Sequence, residues 1–226
     1  MTPTLRSFTI DGTHIEAFDN EGSNAAEIVA GELQQDRYRL RRIGFVSGDV
    51  VVDIGGDIGL FAIYLGLRFP NIVLRSFEPF PDNYELFRRN LALNPVRNIH
   101  LHTVAISADG RNLKMATNFF NTGGATCNST TLYYRRVENI RSDTLDQVFD
   151  SLGIATCTLL KIDCEGSEYE ILLSTGVLSR VEYLSAEFHT NRLLKSQGYS
   201  VKQLRRHCRE YFDRKKLVFH SCKMSQ

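Results

Sequence analysis

Residues 49–54, Asp-Val-Val-Val-Asp-Ile, make a β-branched run in which apolar residues follow one another without alternation. A strand with one wet face alternates; a strand buried on both faces does not. A glycine-rich turn comes next, Gly55-Gly56-Asp57-Ile58-Gly59, and then an apolar helical stretch from Leu60 to Phe69, stopped by Pro70. Strand, tight turn and helix in this order open a parallel sheet, because parallel neighbours need a crossover and a helix supplies one.

The alternation continues along the chain. Ile72–Phe77 reads as a second strand. Pro81 suits the first position of a helix that runs to about Leu93, with Tyr84, Phe87 and Leu91 on one face, and Asn94-Pro95 ends it. Further strands are expected at Ile99–Val104, Thr158–Asp163, Val181–Phe188 and Lys216–Cys222, and helices at Thr144–Leu152, Gly166–Thr175 and Val201–Phe212. Residues 1–48 read as a hairpin, Phe8 to Phe18 around Asp11-Gly12, and a helix near Ala25–Leu40; residues 107–140 read as a hairpin excursion with a Gly123-Gly124 loop. The expected architecture is α/β: one three-layer domain over residues 1–226, built on a doubly wound, mostly parallel sheet.

Composition removes several alternatives. A chain of 226 residues, 42% hydrophobic, suits one domain. The net charge is +1, so the chain as a whole is no polyanion binder. Its basic residues are nonetheless concentrated after position 200, where Lys202, Arg205, Arg206, Arg209, Arg214, Lys215 and Lys216 fall. Five cysteines without a C-x-x-C spacing point to thiols in a cytoplasmic protein. No secretory h-region is visible at the start, and the acceptor-like Asn128-Ser129-Thr130 is idle in that compartment. The longest apolar stretch, Val50 to Phe69, carries Asp53 and Asp57, which argues against a membrane span.

In open α/β sheets the ligand sits at the carboxyl ends of the strands. After the first core strand, the glycines let the backbone approach a ligand closely. Asp53 before them suits a ligand with positive charge, such as the ammonium and sulfonium of S-adenosylmethionine, and not a pyrophosphate. After the second strand, Glu78 lies where a carboxylate accepts hydrogen bonds from ribose hydroxyls, followed by Pro79. After the third, Ala105 and Ile106 offer an apolar surface for an adenine ring. After the fourth comes Lys161-Ile162-Asp163-Cys164-Glu165-Gly166-Ser167-Glu168, dense in ionisable groups. Its plainer reading is a capping arrangement for the next helix. After the fifth, His189 is a candidate base, with a bland surface histidine as the alternative.

Four pieces together resemble the FkbM-type methyltransferases: residues 51–59 (Val-Val-Asp-Ile-Gly-Gly-Asp-Ile-Gly), 77–84 (Phe-Glu-Pro-Phe-Pro-Asp-Asn-Tyr), 143–146 (Asp-Thr-Leu-Asp) and 160–168 (Leu-Lys-Ile-Asp-Cys-Glu-Gly-Ser-Glu). The resemblance covers roughly Glu27 to His189. It implies S-adenosylmethionine as cofactor, a class I Rossmann-like fold, and methyl transfer mostly to hydroxyl oxygens of natural products and sugars. The cofactor set it implies is Asp53, Gly55, Gly56, Asp57, Gly59, Glu78, Pro79, Ala105, Ile106 and Asp163. The catalytic candidates are His189 and Asp163, then Glu165, with no metal expected. Residues Glu27 to Tyr38 match a region that packs over the cofactor in that family. The chain departs at Gly56-Asp57, where the family often has Ala-Asn, and after His189, where the family's final antiparallel strand is expected to be reduced.

Three other readings compete. A nicotinamide oxidoreductase lacks its Gly-x-Gly-x-x-Gly fingerprint here. A nucleic-acid methyltransferase would use the basic helix, but base-stacking aromatics are scarce beside it. A cofactor-binding module without catalysis would be expected to lose the Asp163, Glu165 and His189 group.

Overall fold

The structure is a computed structural model and describes residues 3–117, 126 and 136–223. The Gly123-Gly124 loop, Cys127 and Asn128-Ser129-Thr130 lie outside the described residues. The chain begins with a hairpin, Thr4–Ile10 (β1) against Thr13–Asp19 (β2). Its turn residues, Asp11 and Gly12, take φ of 47° and 78°, as a two-residue hairpin turn requires. Helix α1 (Ala25–Gln34) is tied to the hairpin by Asp19, whose Oδ2 accepts from Ala26 N at 3.0 Å. It ends earlier than the expected Leu40. Asp36 and Arg39 are left-handed, at φ 52° and 56°, and break the helical path before a 3₁₀ turn at Leu40–Arg42.

The core follows as β3 (Val50–Ile54), α2 (Leu60–Arg68), β4 (Val73–Phe77), α3 (Pro81–Leu93) and β5 (Ile99–His102). The expected third strand, Ile99–Val104, ends at His102. A separate strand beyond it, β6 (Ala105–Ser107), pairs outside the main sheet with β9 (Ser142–Thr144), and between them β7 (Leu113–Thr117) and β8 (Arg136–Ile140) form the expected hairpin. Then come α4 (Leu145–Ser151), β10 (Cys157–Ile162), α5 (Glu168–Ser174), β11 (Val181–Thr190), α6 (Arg192–Ser196), α7 (Val201–Cys208) and β12 (Leu217–Lys223). Thr144 caps α4 through a capping box with Gln147.

The main sheet has six strands in the order β12-β11-β10-β3-β4-β5, and every neighbouring pair is parallel. The last strand is parallel as well: β12 runs with β11 from Leu184↔Leu217 to Thr190↔Lys223. The helical return through α6 and α7 carries the chain back to the start of the sheet, so the new edge is parallel.

The central strands feed two cores at once. Val52, Leu160 and Ile162 pack toward α4, α5 and α7, while Val51 and Leu159 pack toward α1, α2 and α3. That division is why the run at residues 50–54 shows no polar alternation. Strand order reverses between β3 and β10, which opens a crevice at their carboxyl ends. Among the described residues no helix is long and apolar enough to cross a membrane.

Candidate active site

A cavity of about 330 Å³ fills that crevice, within the usual range for a small-molecule site. Its wall is drawn from the ends of β3, β4, β10 and β11, from β6, and from α1.

The glycine loop is pinned from both sides. Gly55 N and Gly56 N both donate to Phe77 O at 3.0 Å. Gly55 has φ 81°, and a Cβ there would stand 1.7 Å from the Asp163 carbonyl oxygen of the next strand. Only glycine fits such a position. From β10, Lys161 Nζ donates to Gly55 O at 2.6 Å and lies 3.1 Å from Asp53 Oδ1, and Ser76 Oγ donates to Asp53 Oδ2 at 2.6 Å. Asp53 is therefore sealed beneath the loop with its charge matched, and does not line the cavity. Burial pushes its pKa up, and Lys161 and Ser76 oppose that. Its expected direct contact with a cationic ligand is replaced by a role in holding the loop. Gly59 is also behind the wall: at φ 92° it caps α2, and a Cβ would meet the Phe87 ring at 2.1 Å. It serves helix packing.

The other residues of the expected cofactor set, Gly55, Gly56, Asp57, Glu78, Pro79, Ala105, Ile106 and Asp163, line the cavity together. Glu78 accepts from Asp57 N at 2.8 Å and Phe80 N at 2.9 Å. Burial, reinforced by the Asp57 charge, pushes its carboxyl up to about 8. Asp57 itself has φ 48° and a buried Oδ1 that no hydrogen bond reaches among the described residues. Burial raises it to about 6. A backbone cradle that excludes Cβ atoms, an unmet carboxylate oxygen and a buried strand-end carboxylate fit a ligand with ribose hydroxyls and a cationic end.

At the opposite wall the turn after β10 sets the chemistry. Glu165 and Gly166 take φ of 52° and 107°, which folds the chain back so that Glu168 enters the interior. Its buried carboxylate accepts from Cys164 N at 2.9 Å and Gly166 N at 3.0 Å, and lies 3.0 Å from His189 Nδ1. Asp163 and Glu165 stay on the cavity side, 3.9 and 3.5 Å from His189 Nε2. All three expected catalytic residues thus converge. Burial works against charge on His189, but the bond and charge of Glu168, with Glu165 and Asp163, outweigh it and raise the imidazole to about 10. The surrounding negative charge thus favours the protonated ring.

Sequence reading missed several members of the site. Glu168 engages His189 Nδ1, a role its place in the acidic run did not reveal, and Glu187 lines the cavity beside the histidine. Lys161 carried no assigned role. Tyr38 does line the cavity, but as a fixed wall. Its hydroxyl donates to Glu32 Oε2 at 2.6 Å and its ring packs edge-on to Phe61, at 5.0 Å between centroids. No residue of α7 reaches the cavity; Leu204 and Cys208 turn inward, and Arg205 lies over Phe219.

Residues 53–213 match the model of the methyltransferase FkbM domain. The chain belongs to the FkbM methyltransferase family. It is an S-adenosylmethionine-dependent methyltransferase, and the family match runs from the glycine loop through α7. Among curated relatives, "31-O-demethyl-FK506 methyltransferase FkbM" of Streptomyces tacrolimicus is 27% identical over 80% of this chain and 86% of its own. "Methyltransferase 1" of Beauveria bassiana is 25% identical over 70% and 74% respectively. Among solved structures, a precorrin-6y C5,15-methyltransferase from Geobacter metallireducens superposes with a TM-score of 0.45 at 16% identity, covering 77% of this chain and 71% of that one.

Proposed function

We propose that this methyltransferase acts on a hydroxyl oxygen of a small molecule, a sugar or another natural product. The observation that carries the reading is the convergence of Asp163, Glu165 and His189 on one wall of a cavity of about 330 Å³. An alcohol is a weak nucleophile, and proton acceptors beside it are worth typically ~10²- to 10⁴-fold in rate. The Streptomyces relative, a 31-O-demethyl-FK506 methyltransferase by name, supports the same acceptor chemistry.

Bound S-adenosylmethionine supplies an electrophilic methyl group. The chain's own residues do the rest. Asp57 and the Gly55-Gly56 backbone receive its methionine end, Glu78 its ribose, and Ala105 with Ile106 its adenine. Asp163 and Glu165 take the acceptor proton, while His189, held by Glu168, keeps the two carboxylates apart and partly neutralised. The walls from α1 and Tyr38 exclude water and fix the attack line. The basic helix α7, turned away from the cavity, fits a solvated face better than a nucleic-acid track. A cytoplasmic setting accords with the thiol state of Cys157 and Cys208.

The test is to incubate the enzyme with ¹³C-methyl-labelled cofactor, a panel of hydroxylated sugars and polyketide alcohols, and separately RNA and DNA. An O-methyl carbon resonance in a small acceptor supports the reading. An N-methyl product, or transfer to nucleic acid alone, overturns it.

A further inference from the structure

Where β11 and β12 reach the cavity, three different donor groups meet. Glu187 and His189 are two residues apart on β11 and so share one face of the sheet. Cys222 is the direct neighbour of His189 across the β11–β12 ladder. One ligand atom from each of Glu187, His189 and Cys222 lies within 4.8 Å of the other two, and all three residues line the cavity.

The histidine is prepared in a particular way. Its ring is 4% exposed, and Nδ1 is engaged by the fully buried Glu168 at 3.0 Å. That leaves Nε2 on the cavity side, where Glu165 Oε2 stands 3.5 Å and Asp163 Oδ1 3.9 Å away. A metal-binding histidine has this arrangement: one nitrogen held by a carboxylate, the other presented to the ion. Two donors on one tetrahedral zinc stand roughly 3.4 to 3.6 Å apart, so small side-chain rotations close the set. The surroundings favour a cation as well. Asp163 and Glu165 face Nε2, while the Lys161 ammonium is bonded to the Gly55 carbonyl and lies closer to Asp53, at 3.1 Å, than to Asp163, at 3.9 Å.

We propose that Glu187, His189 and Cys222 bind one divalent cation of zinc type, with the fourth position open to the cavity. Mixed N, O and S donors select a borderline-soft ion over magnesium or calcium. Three protein ligands and one open position are the pattern of a site that receives a substrate atom. If the acceptor is a hydroxyl, its oxygen takes that position and its proton leaves to Asp163 or Glu165, the negative charge being held by the cation. This last use rests on the hydroxyl-acceptor reading; the site itself does not.

The measurement uses the full chain, stripped of metal and titrated with Co²⁺ without cofactor or acceptor. One equivalent should bind and produce the near-ultraviolet thiolate-to-cobalt charge-transfer band, with visible bands of tetrahedral intensity. Cys222→Ser should abolish the charge-transfer band, and Glu187→Gln should weaken binding at least tenfold. Cys164→Ser should change neither. Circular dichroism of each variant separates loss of the site from loss of the fold. Absence of binding to the folded protein overturns the proposal, as does a band that survives Cys222→Ser or disappears with Cys164→Ser. None of these readouts involves methyl transfer, so a failed acceptor assignment and a failed metal site give different results.

Discussion

The Lys161 ammonium donates to the carbonyl of Gly55, 2.6 Å away and 106 positions earlier in the chain. Through this bond the fourth strand of the α/β core holds the loop of the first, and Asp53 beneath supplies the compensating charge at 3.1 Å.

Removing one partner of a buried pair leaves the other charged and alone, at a cost of about 3–5 kcal/mol. Lys161→Met should destabilise the protein by about that much and weaken cofactor binding, since the loop loses its anchor. The double change Asp53→Asn with Lys161→Met should recover part of the stability and little of the binding. Urea unfolding and calorimetry on the three proteins check both statements; equal affinity in Lys161→Met and the parent would separate the loop from the ion pair.

Gly55 offers a sharper probe of the same loop. A Cβ at 1.7 Å from the Asp163 oxygen cannot be accommodated without moving β10, and φ of 81° adds strain. Gly55→Ala should therefore lower both cofactor affinity, by at least ~10-fold, and thermal stability, by on the order of 1–3 kcal/mol. A substitution here that spared the sheet would contradict the geometry. Gly12→Ala, at a hairpin turn with open space around it, should cost stability through its φ of 78° and leave affinity untouched.

Glu78 should make cofactor binding pH-dependent. Its folded carboxyl, pushed up to about 8 from an ordinary 4.5, binds a proton more tightly than the unfolded chain does. The stability this contributes is complete below about 4.5 and is lost as pH rises through about 8. Ribose hydroxyls donate to a carboxylate, so binding should expel that proton. Affinity should rise with pH between about 6 and 8, by at most ~10-fold per unit, and calorimetry in buffers of different ionisation enthalpy should register proton release. Glu78→Gln should bind at least ~10-fold more weakly and release none. A pH-independent affinity would remove Glu78 from the ribose.

The opposite wall should separate catalysis from binding. His189→Ala and Asp163→Asn should keep cofactor affinity within a few-fold and cut turnover at least ~10²-fold at saturating cofactor. Glu168→Gln should act through His189 as a positioning change: turnover falls, the pH–rate profile shifts, and cofactor affinity holds. Lost affinity in Asp163→Asn would move that carboxylate to the cofactor's ammonium.

Much of this was legible in the amino-acid order because period and punctuation survive folding. The apolar runs at residues 50–54 and 157–162 have no other place than a two-sided core, and Pro81 and Thr144 mark helix starts by their own chemistry. Other features depend on contacts between distant segments. Nothing near Asp53 announces that Lys161 will neutralise it, so an acid read as facing a ligand is an acid facing an ammonium. The direction of β12 follows from the α6–α7 return, not from its own residues. The fate of three acids in six residues, Asp163, Glu165 and Glu168, hangs on the left-handed φ of Glu165 and Gly166, which sends the last inward to His189.

The cavity wall includes Asn24 near one end of the chain and Cys222 near the other, and His220 Nε2 donates to Arg37 O at 2.8 Å, joining these two extremes. A growing polypeptide therefore has no finished pocket at any intermediate length. The glycine loop waits for Lys161 on the fourth core strand, and the enclosure for residues through β12, to leave the ribosome. Cofactor can assist only the last stage of maturation, and termination between β11 and Cys222 yields a chain whose central strands are all present and whose binding chamber lacks a side.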